Sequence, residues 1–304
     1  MRSNILITGA DGFIGHRLTN ALSNKFNVKA IVRQCKLTMP HVNQYEIGDL
    51  SKVIEWKHHL KGTSTIIHLA SVAHNRSNDR EYIKEVNINA AIRLAKEAVE
   101  ANVKRFIFVS SISVLGDKTQ VPFNESFNRA PQSYMAECKC LVEKVLLEIS
   151  EKTNMDVVII RPALVYGDNA PGNIKKLTHL IGRFPILPFA LCKNKRSFIS
   201  LDNLVDFISV CIHHPKAANE IFCISDTVDV SIRDFTNEIA VGLNKKLIQL
   251  PVPIFIFKLV GKLTGKIELI EQLIGDLQVD SSKAISLLDW KPPVTMNETF
   301  KYYK

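Results

Sequence analysis

The sequence predicts an α/β protein: a doubly wound parallel sheet with a smaller α/β region toward its C-terminal end. Three observations carry that prediction. Short apolar runs alternate with stretches of helical period through the first half of the chain. A glycine triplet, Gly9, Gly12 and Gly15, separates the first apolar run from the first helical stretch. After about Arg161 the pattern changes, as Pro162, Gly167, Pro171, Gly172, Gly182, Pro185 and Pro188 break the chain into shorter elements. Alternating strand and helix is the signature of parallel strands joined by right-handed crossovers.

Strands are predicted at residues 5–8, 28–32, 66–69, 106–110 and 157–161, where apolar and β-branched residues crowd together. One more strand is expected to end in Ile47-Gly48-Asp49-Leu50. Helices are predicted over residues 13–22, 51–60, 81–100 and 133–151, from apolar residues recurring every three or four positions. Ligands of such sheets bind beyond the carboxyl ends of the strands. That places Thr8, Arg33, His68, Ser110, Ser111 and Arg161 on one rim. Residues 1–162 read as one domain. Residues 163–304 read as a second region whose segments interleave with the first in one compact unit.

The chain has 304 residues, of which 46% are hydrophobic and 23% charged, a globular composition. Its formal net charge is +9, with lysines and arginines scattered and no long basic block. Such a field suits an anionic small ligand, and no nucleic-acid-binding module accompanies it. The six cysteines show no zinc spacing, and the N-terminal text has no signal-peptide pattern. Both point to reduced thiols in a cytoplasmic protein. No apolar run reaches the roughly 18 residues that a membrane span needs. Residues 253–266 are apolar and basic, which fits either a peripheral membrane contact or a packed helix.

The first apolar run ends at Thr8 and continues Gly9-Ala10-Asp11-Gly12-Phe13-Ile14-Gly15. A strand, a glycine turn and a helix in that order let the backbone approach a pyrophosphate. The anion then sits on the free N–H groups and positive dipole end of the helix. A dinucleotide is therefore expected. The second strand ends in Arg33, where an acid would hold the ribose diol of NAD. An arginine suits the 2′-phosphate of NADP(H), which is favoured, with NAD left open. Asp49 is placed to accept from the adenine amine.

Further motifs follow in order: Gly48-Asp49-Leu50, His68-Leu69-Ala70, Val86-Asn87, Ser110-Ser111, Arg161-Pro162 and Val165-Tyr166-Gly167. Asn194-Lys195-Arg196-Ser197-Phe198, Asp202-Asn203, Asp280-x-Ser282-Lys283 and Leu288-Asp289-Trp290-Lys291-Pro292 complete the series. With these motifs the chain resembles, over essentially its whole length, the extended short-chain dehydrogenase/reductase family in its nucleotide-sugar epimerase/dehydratase branch. The resemblance implies a Rossmann sheet and a dinucleotide contacted by Gly9, Asp11, Gly12, Phe13, Ile14, Gly15, Asp49, Leu50, Leu69, Ala70, Ser71, Asn87, Ser110, Lys139 and Pro162. It implies a UDP-sugar held by Ser111, Tyr166, Asn173 and Arg196. Asn173 matches an asparagine that contacts the sugar-side phosphate or base. Arg196 matches an arginine that pairs with the diphosphate, and Tyr166 serves as a packing or cofactor-wall residue. It also implies a homodimer through the helices around residues 81–100 and 133–151.

In that family a serine and a Tyr-x-x-x-Lys pair do the chemistry. Ser111 matches the serine and Lys139 the lysine. The residue four before Lys139 is Met135, and Tyr134 lies five before it. A one-residue slip rotates a helical side chain by about 100°. Three readings stay open: a protein that binds cofactor but reacts poorly, a Tyr134 brought in by a distorted first turn, or another acid or water in place of the phenol. Within the branch the motifs resemble reductases of the 4-keto group of a UDP-6-deoxy-4-keto-N-acetylhexosamine, made for surface polysaccharide. A UDP-GlcNAc or UDP-Glc 4-epimerase with bound NAD and a dinucleotide-binding sensor are the alternatives.

Overall fold

The apolar run after Asn4 folds as β1 (Asn4–Thr8), with no solvent exposure from Ile5 to Thr8. The computed structural model describes residues 2–35, 39, 42–72, 77 and 79–301. After β1 come α1 (Phe13–Ser23), β2 (Asn27–Val32), β3 (Asn43–Glu46), α2 (Lys57–Leu60) and β4 (Thr65–His68). Next, α3 (Arg80–Lys84) runs through a π-helical turn at Glu85–Asn89 into α4 (Ala90–Glu100). β5 (Arg105–Val109), α5 (Tyr134–Lys152) and β6 (Asp156–Pro162) follow. The remainder contains β7 (Leu164–Tyr166), α6 (Gly172–Arg183), β8 (Ile186–Leu187), β9 (Phe198–Ser200), α7 (Leu201–His213) and β10 (Ile221–Ile224). It closes with α8 (Ile232–Gly242), β11 (Ile248–Gln249), α9 (Ile254–Leu263), α10 (Ile267–Ile274), α11 (Ser282–Leu288) and α12 (Met296–Lys301).

The main sheet has seven parallel strands in the order β10-β6-β5-β4-β1-β2-β3. The order reverses at β1, where Thr8 is in register with Ile31 of β2 on one side and His68 of β4 on the other. This reversal opens a crevice beyond the strand ends, the place where open α/β sheets take ligands. Both faces are covered, so the central strands are continuous apolar runs. On one face Leu18, Leu22, Phe207, Ile208 and Trp290 pack on Ile5, Ile7, Val158 and Ile160. On the other, Leu94, Val142 and Leu146 pack on Leu6, Ile66, Phe106 and Val157. A third cluster, with Tyr166, Phe189, Phe198, Phe235, Phe257 and Phe300, forms the centre of the smaller region.

Three elements differ from the sequence reading. The expected helix over residues 51–60 is only α2. The Ser51 amide turns onto the Asp49 carboxylate at 2.9 Å, and the Trp56 amide is taken by Glu97 at 3.0 Å. Those side-chain bonds replace the first helical turns. The expected helix over residues 81–100 is interrupted by the π-helical turn. The third strand stops at Glu46, which leaves Asp49 in the loop beyond it. β10 lies far along the chain and still pairs with β6 in the main sheet. Among the described residues no helix is long and apolar enough to cross a membrane.

Candidate active site

β1 delivers the chain into the glycine turn at the reversal point. Gly9 has φ +68°, and a Cβ there would stand 2.9 Å from the Ala70 backbone in the loop after β4. A Cβ on Gly15 would stand 2.0 Å from the Gly9 carbonyl oxygen. Only glycines let β1, the β4 loop and α1 close this far. Gly12 caps α1 without a side chain, so the first-turn amides have no side-chain acceptor. A bare helix start over a cradle that any Cβ would fill fits a pyrophosphate. Asp11 and Ser71 are exposed at this rim, with Phe13 and Ile14 half-buried beside them.

The two strand ends are tied together beneath the turn. Thr8 Oγ1 accepts from the Leu69 and Ala70 amides at 3.3 Å and shares a hydrogen bond with His68 Nδ1 at 2.8 Å. Burial, with the nearby Lys139 charge, pushes the His68 imidazole down to about 3, so it stays neutral.

Farther along the rim, Arg33 is exposed just past β2. The Asp49 carboxylate accepts from the Ser51 amide and from the Tyr82 hydroxyl at 2.8 Å. Partial burial pulls Asp49 up, yet these donors and the Arg33 charge hold it below the ordinary carboxylate value. Leu50 is half-buried next to them. Tyr82 was not singled out from the sequence, because nothing local links it to a carboxylate 33 residues earlier.

β5 runs out into Ser110 and Ser111, which diverge. Ser110 is buried and donates to Glu143 Oε1 at 2.6 Å. Arg161 holds the same carboxylate through Nε at 3.0 Å and Nη2 at 2.6 Å, and Arg129 Nε adds a third donor at 3.0 Å. Burial alone would raise Glu143, but Arg161 and the other donors hold it low. Ser111 instead opens a 3₁₀ turn, its Oγ accepting from the Ser113 amide at 3.2 Å and hydroxyl at 2.9 Å. Lys139, one turn before Glu143 on α5, donates to the Val109 and Ser110 carbonyls at 2.9 and 3.2 Å. Burial pushes its ammonium down to about 8, against the pull of Glu143.

Met135 lies one turn before Lys139 on the same face of α5. Its sulfur accepts from Asn87 Nδ2 at 3.5 Å. Asn87 is fixed by the Val72 amide at 2.7 Å and carbonyl at 3.3 Å. Tyr134 points elsewhere. Its hydroxyl donates to the Arg80 carbonyl at 3.3 Å, and its ring lies 5.1 Å from the Arg80 guanidinium carbon. The Ser133 hydroxyl caps the Ala136 amide at 3.3 Å, so α5 starts regularly at Tyr134. Of the three open readings, the one in which a distorted first turn carries Tyr134 to the site is therefore corrected.

The residues expected to hold substrate are dispersed. Asn173 is exposed in the first turn of α6. Arg196 Nη1 donates to the Gln272 and Gly275 carbonyls at 2.6 and 3.1 Å, at the end of α10. Burial lowers the pKa of its guanidinium. Tyr166 has no exposed surface, and its hydroxyl donates to Asp226 at 2.8 Å. That hydrogen bond and the Phe300 ring stacked 5.3 Å away make Tyr166 a core residue, which corrects its expected contact with substrate. Pro162 is buried at the end of β6. Among the described residues no group of His, Cys, Asp and Glu is arranged to hold a metal ion.

Comparison with known proteins agrees with this geometry. The profile of the NAD dependent epimerase/dehydratase family matches residues 5–225. A UDP-glucose 4-epimerase of Vibrio cholerae is 42% identical, with 99% of this chain and 94% of that one covered. An N-acetyl-alpha-D-glucosaminyl-diphospho-ditrans,octacis-undecaprenol 4-epimerase of Escherichia coli O157:H7 is 28% identical over 88% of this chain and 82% of that one. Among solved structures, MoeE5 in complex with UDP-glucuronic acid and NAD has the same fold. Its TM-score is 0.79 at 21% identity, over 99% of this chain and 97% of that one. With the glycine-closed turn at the sheet reversal and a near-full-length relative of known activity, the chain belongs to the NAD dependent epimerase/dehydratase family of enzymes.

Proposed function

We propose that the protein is a UDP-sugar 4-epimerase that retains NAD. The observation that carries this reading is the 42% identity to a UDP-glucose 4-epimerase across 99% of the chain. Bound NAD supplies a hydride acceptor for the sugar C4 and a donor for its return. The glycine turn and the α1 start hold the pyrophosphate, with the Lys139 ammonium placing a positive charge at the end of β5. The Ser111 hydroxyl orients the sugar oxygen. Met135 has no proton to exchange, so the C4 hydroxyl proton leaves through Ser111 or water, and turnover is slow.

Purified protein given UDP-glucose or UDP-N-acetylglucosamine, with no added reductant, should slowly form the 4-epimer, followed by NMR of the anomeric protons. Absence of epimer with either sugar, both in wild type and after Met135→Tyr, overturns the reading. Arg33 favours a second reading, a reductase of a UDP-4-keto sugar that draws on NADP(H). The nucleotide released on denaturation separates the two: NAD supports the epimerase and NADP the reductase.

The protein is further proposed to work as a homodimer through α4 and α5, where Leu141 is exposed on α5. Its six cysteines are free thiols, which suits the reducing cytoplasm.

A further inference from the structure

α9 turns an apolar face outward. Phe255, Ile256, Leu259, Val260 and Leu263 are all exposed, Phe255 at 67% and Leu263 at 78%. At about 100° per residue these five side chains share an arc of roughly 140°, with Lys258 and Lys262 along one border. The opposite face is anchored. Phe257 stacks on Phe189 at 5.9 Å, and Gly261 is pressed so closely to α10 that a Cβ would meet Ile267 Cα at 3.1 Å. Ile186 of β8 and Ile248 of β11 are exposed as well, on the strand pair that leads into Phe189 and so into its stack on Phe257.

Along the α9 segment itself the charge has one sign. Residues 245–266 contain five lysines and no aspartate or glutamate. Lys246, Lys258, Lys262 and Lys266 are exposed. The neighbouring α10 carries two acids, Glu268, which is exposed, and Glu271, which feels the Lys258 charge but is already bound by Lys118 at 2.8 Å. An exposed apolar helix face edged by lysines, on a helix too short to span a bilayer, has the composition of an interfacial helix.

We propose that α9, with the β8–β11 edge, docks on an anionic lipid bilayer. The five apolar side chains enter the boundary between headgroups and acyl chains, and the lysines meet lipid phosphates. The charge argues against antiparallel self-association through this face, since a two-fold axis across the helix would set the Lys258 and Lys262 border against its own copy. The inference does not depend on which sugar or dinucleotide the active site takes.

The test is co-sedimentation of the full-length protein with vesicles of phosphatidylcholine alone or mixed with phosphatidylglycerol. Binding to the mixed vesicles only is expected, weakening as salt rises. Lys258→Gln with Lys262→Gln should lower the partition coefficient by roughly fivefold per lysine. Leu259→Glu with Leu263→Glu should abolish binding while dinucleotide binding is retained. Wild type that ignores phosphatidylglycerol, or lysine variants that bind as well as wild type, overturns the proposal. So does a leucine variant that converts a dimer to a monomer in gel filtration, because the face would then join two copies.

Discussion

Asn87 donates a hydrogen bond to the sulfur of Met135 at 3.5 Å, across the gap between the π-helical turn and the first turn of α5. The thioether fills the α5 position one turn before Lys139 and brings no exchangeable proton to it. Met135→Tyr should therefore raise kcat by about 10²–10⁴ when measured with UDP-glucose or UDP-N-acetylglucosamine, the usual range for a positioned acid–base group. A change within threefold would show that the proton already travels another way, or that the protein binds its dinucleotide without turning it over.

Arg33 offers an exposed guanidinium beside the Asp49–Tyr82 pair. If it meets a 2′-phosphate, Arg33→Ala should weaken NADPH about tenfold to a hundredfold and leave NADH unchanged. That range is the worth of one charge-assisted hydrogen bond. Calorimetric titration with both nucleotides measures it. Equal losses for the two would assign Arg33 to the adenine or to the loop.

His68 makes folding sensitive to acid. Its folded pKa of about 3 lies below the ordinary imidazole value of 6.5. Below about pH 6.5 the unfolded chain binds a proton that the folded chain refuses. Stability is whole above that point and falls as pH drops toward 3. The slope for one such group is about 1.4 kcal/mol per pH unit. Urea unfolding should show wild type losing about 2 kcal/mol more than His68→Gln between pH 6.5 and 5. Parallel profiles would refute the assignment.

Glu143 and Arg161 are both buried and bound to each other twice. Glu143→Gln leaves the Arg161 charge without its counterion and should lower unfolding stability by about 3–5 kcal/mol. Glu143→Leu combined with Arg161→Met removes both charges and should be less destabilising than Glu143→Gln alone. The opposite order in chemical denaturation would mean that the shape of the network, not the stranded charge, sets its contribution.

The sheet was legible because a strand covered on both faces must be apolar throughout, as in Ile5-Leu6-Ile7 and Val157-Val158-Ile159-Ile160. β3, with the sequence Asn43-Gln44-Tyr45-Glu46, lies at the sheet edge, and its polar text did not mark where the strand would stop. The glycine turn could be read from spacing, since Gly9 and Gly15 answer to local backbone geometry. The Asp49–Tyr82 and Glu143–Arg161 bonds could not. They join residues from different elements, 33 and 18 positions apart, whose meeting is decided by packing. The failed helix over residues 51–60 has the same origin, because Glu97 on α4 takes the Trp56 amide.

The return of β10 to the main sheet ties the first six strands to the rest of the chain. A fragment ending at Pro162 would keep the glycine turn and Lys139, yet it would uncover the flank of β6 that β10 occupies. That flank is a ladder of bare amides and carbonyls along an apolar run, which is a template for pairing with another chain. Residues 1–162, expressed alone, should associate through β6 into aggregates.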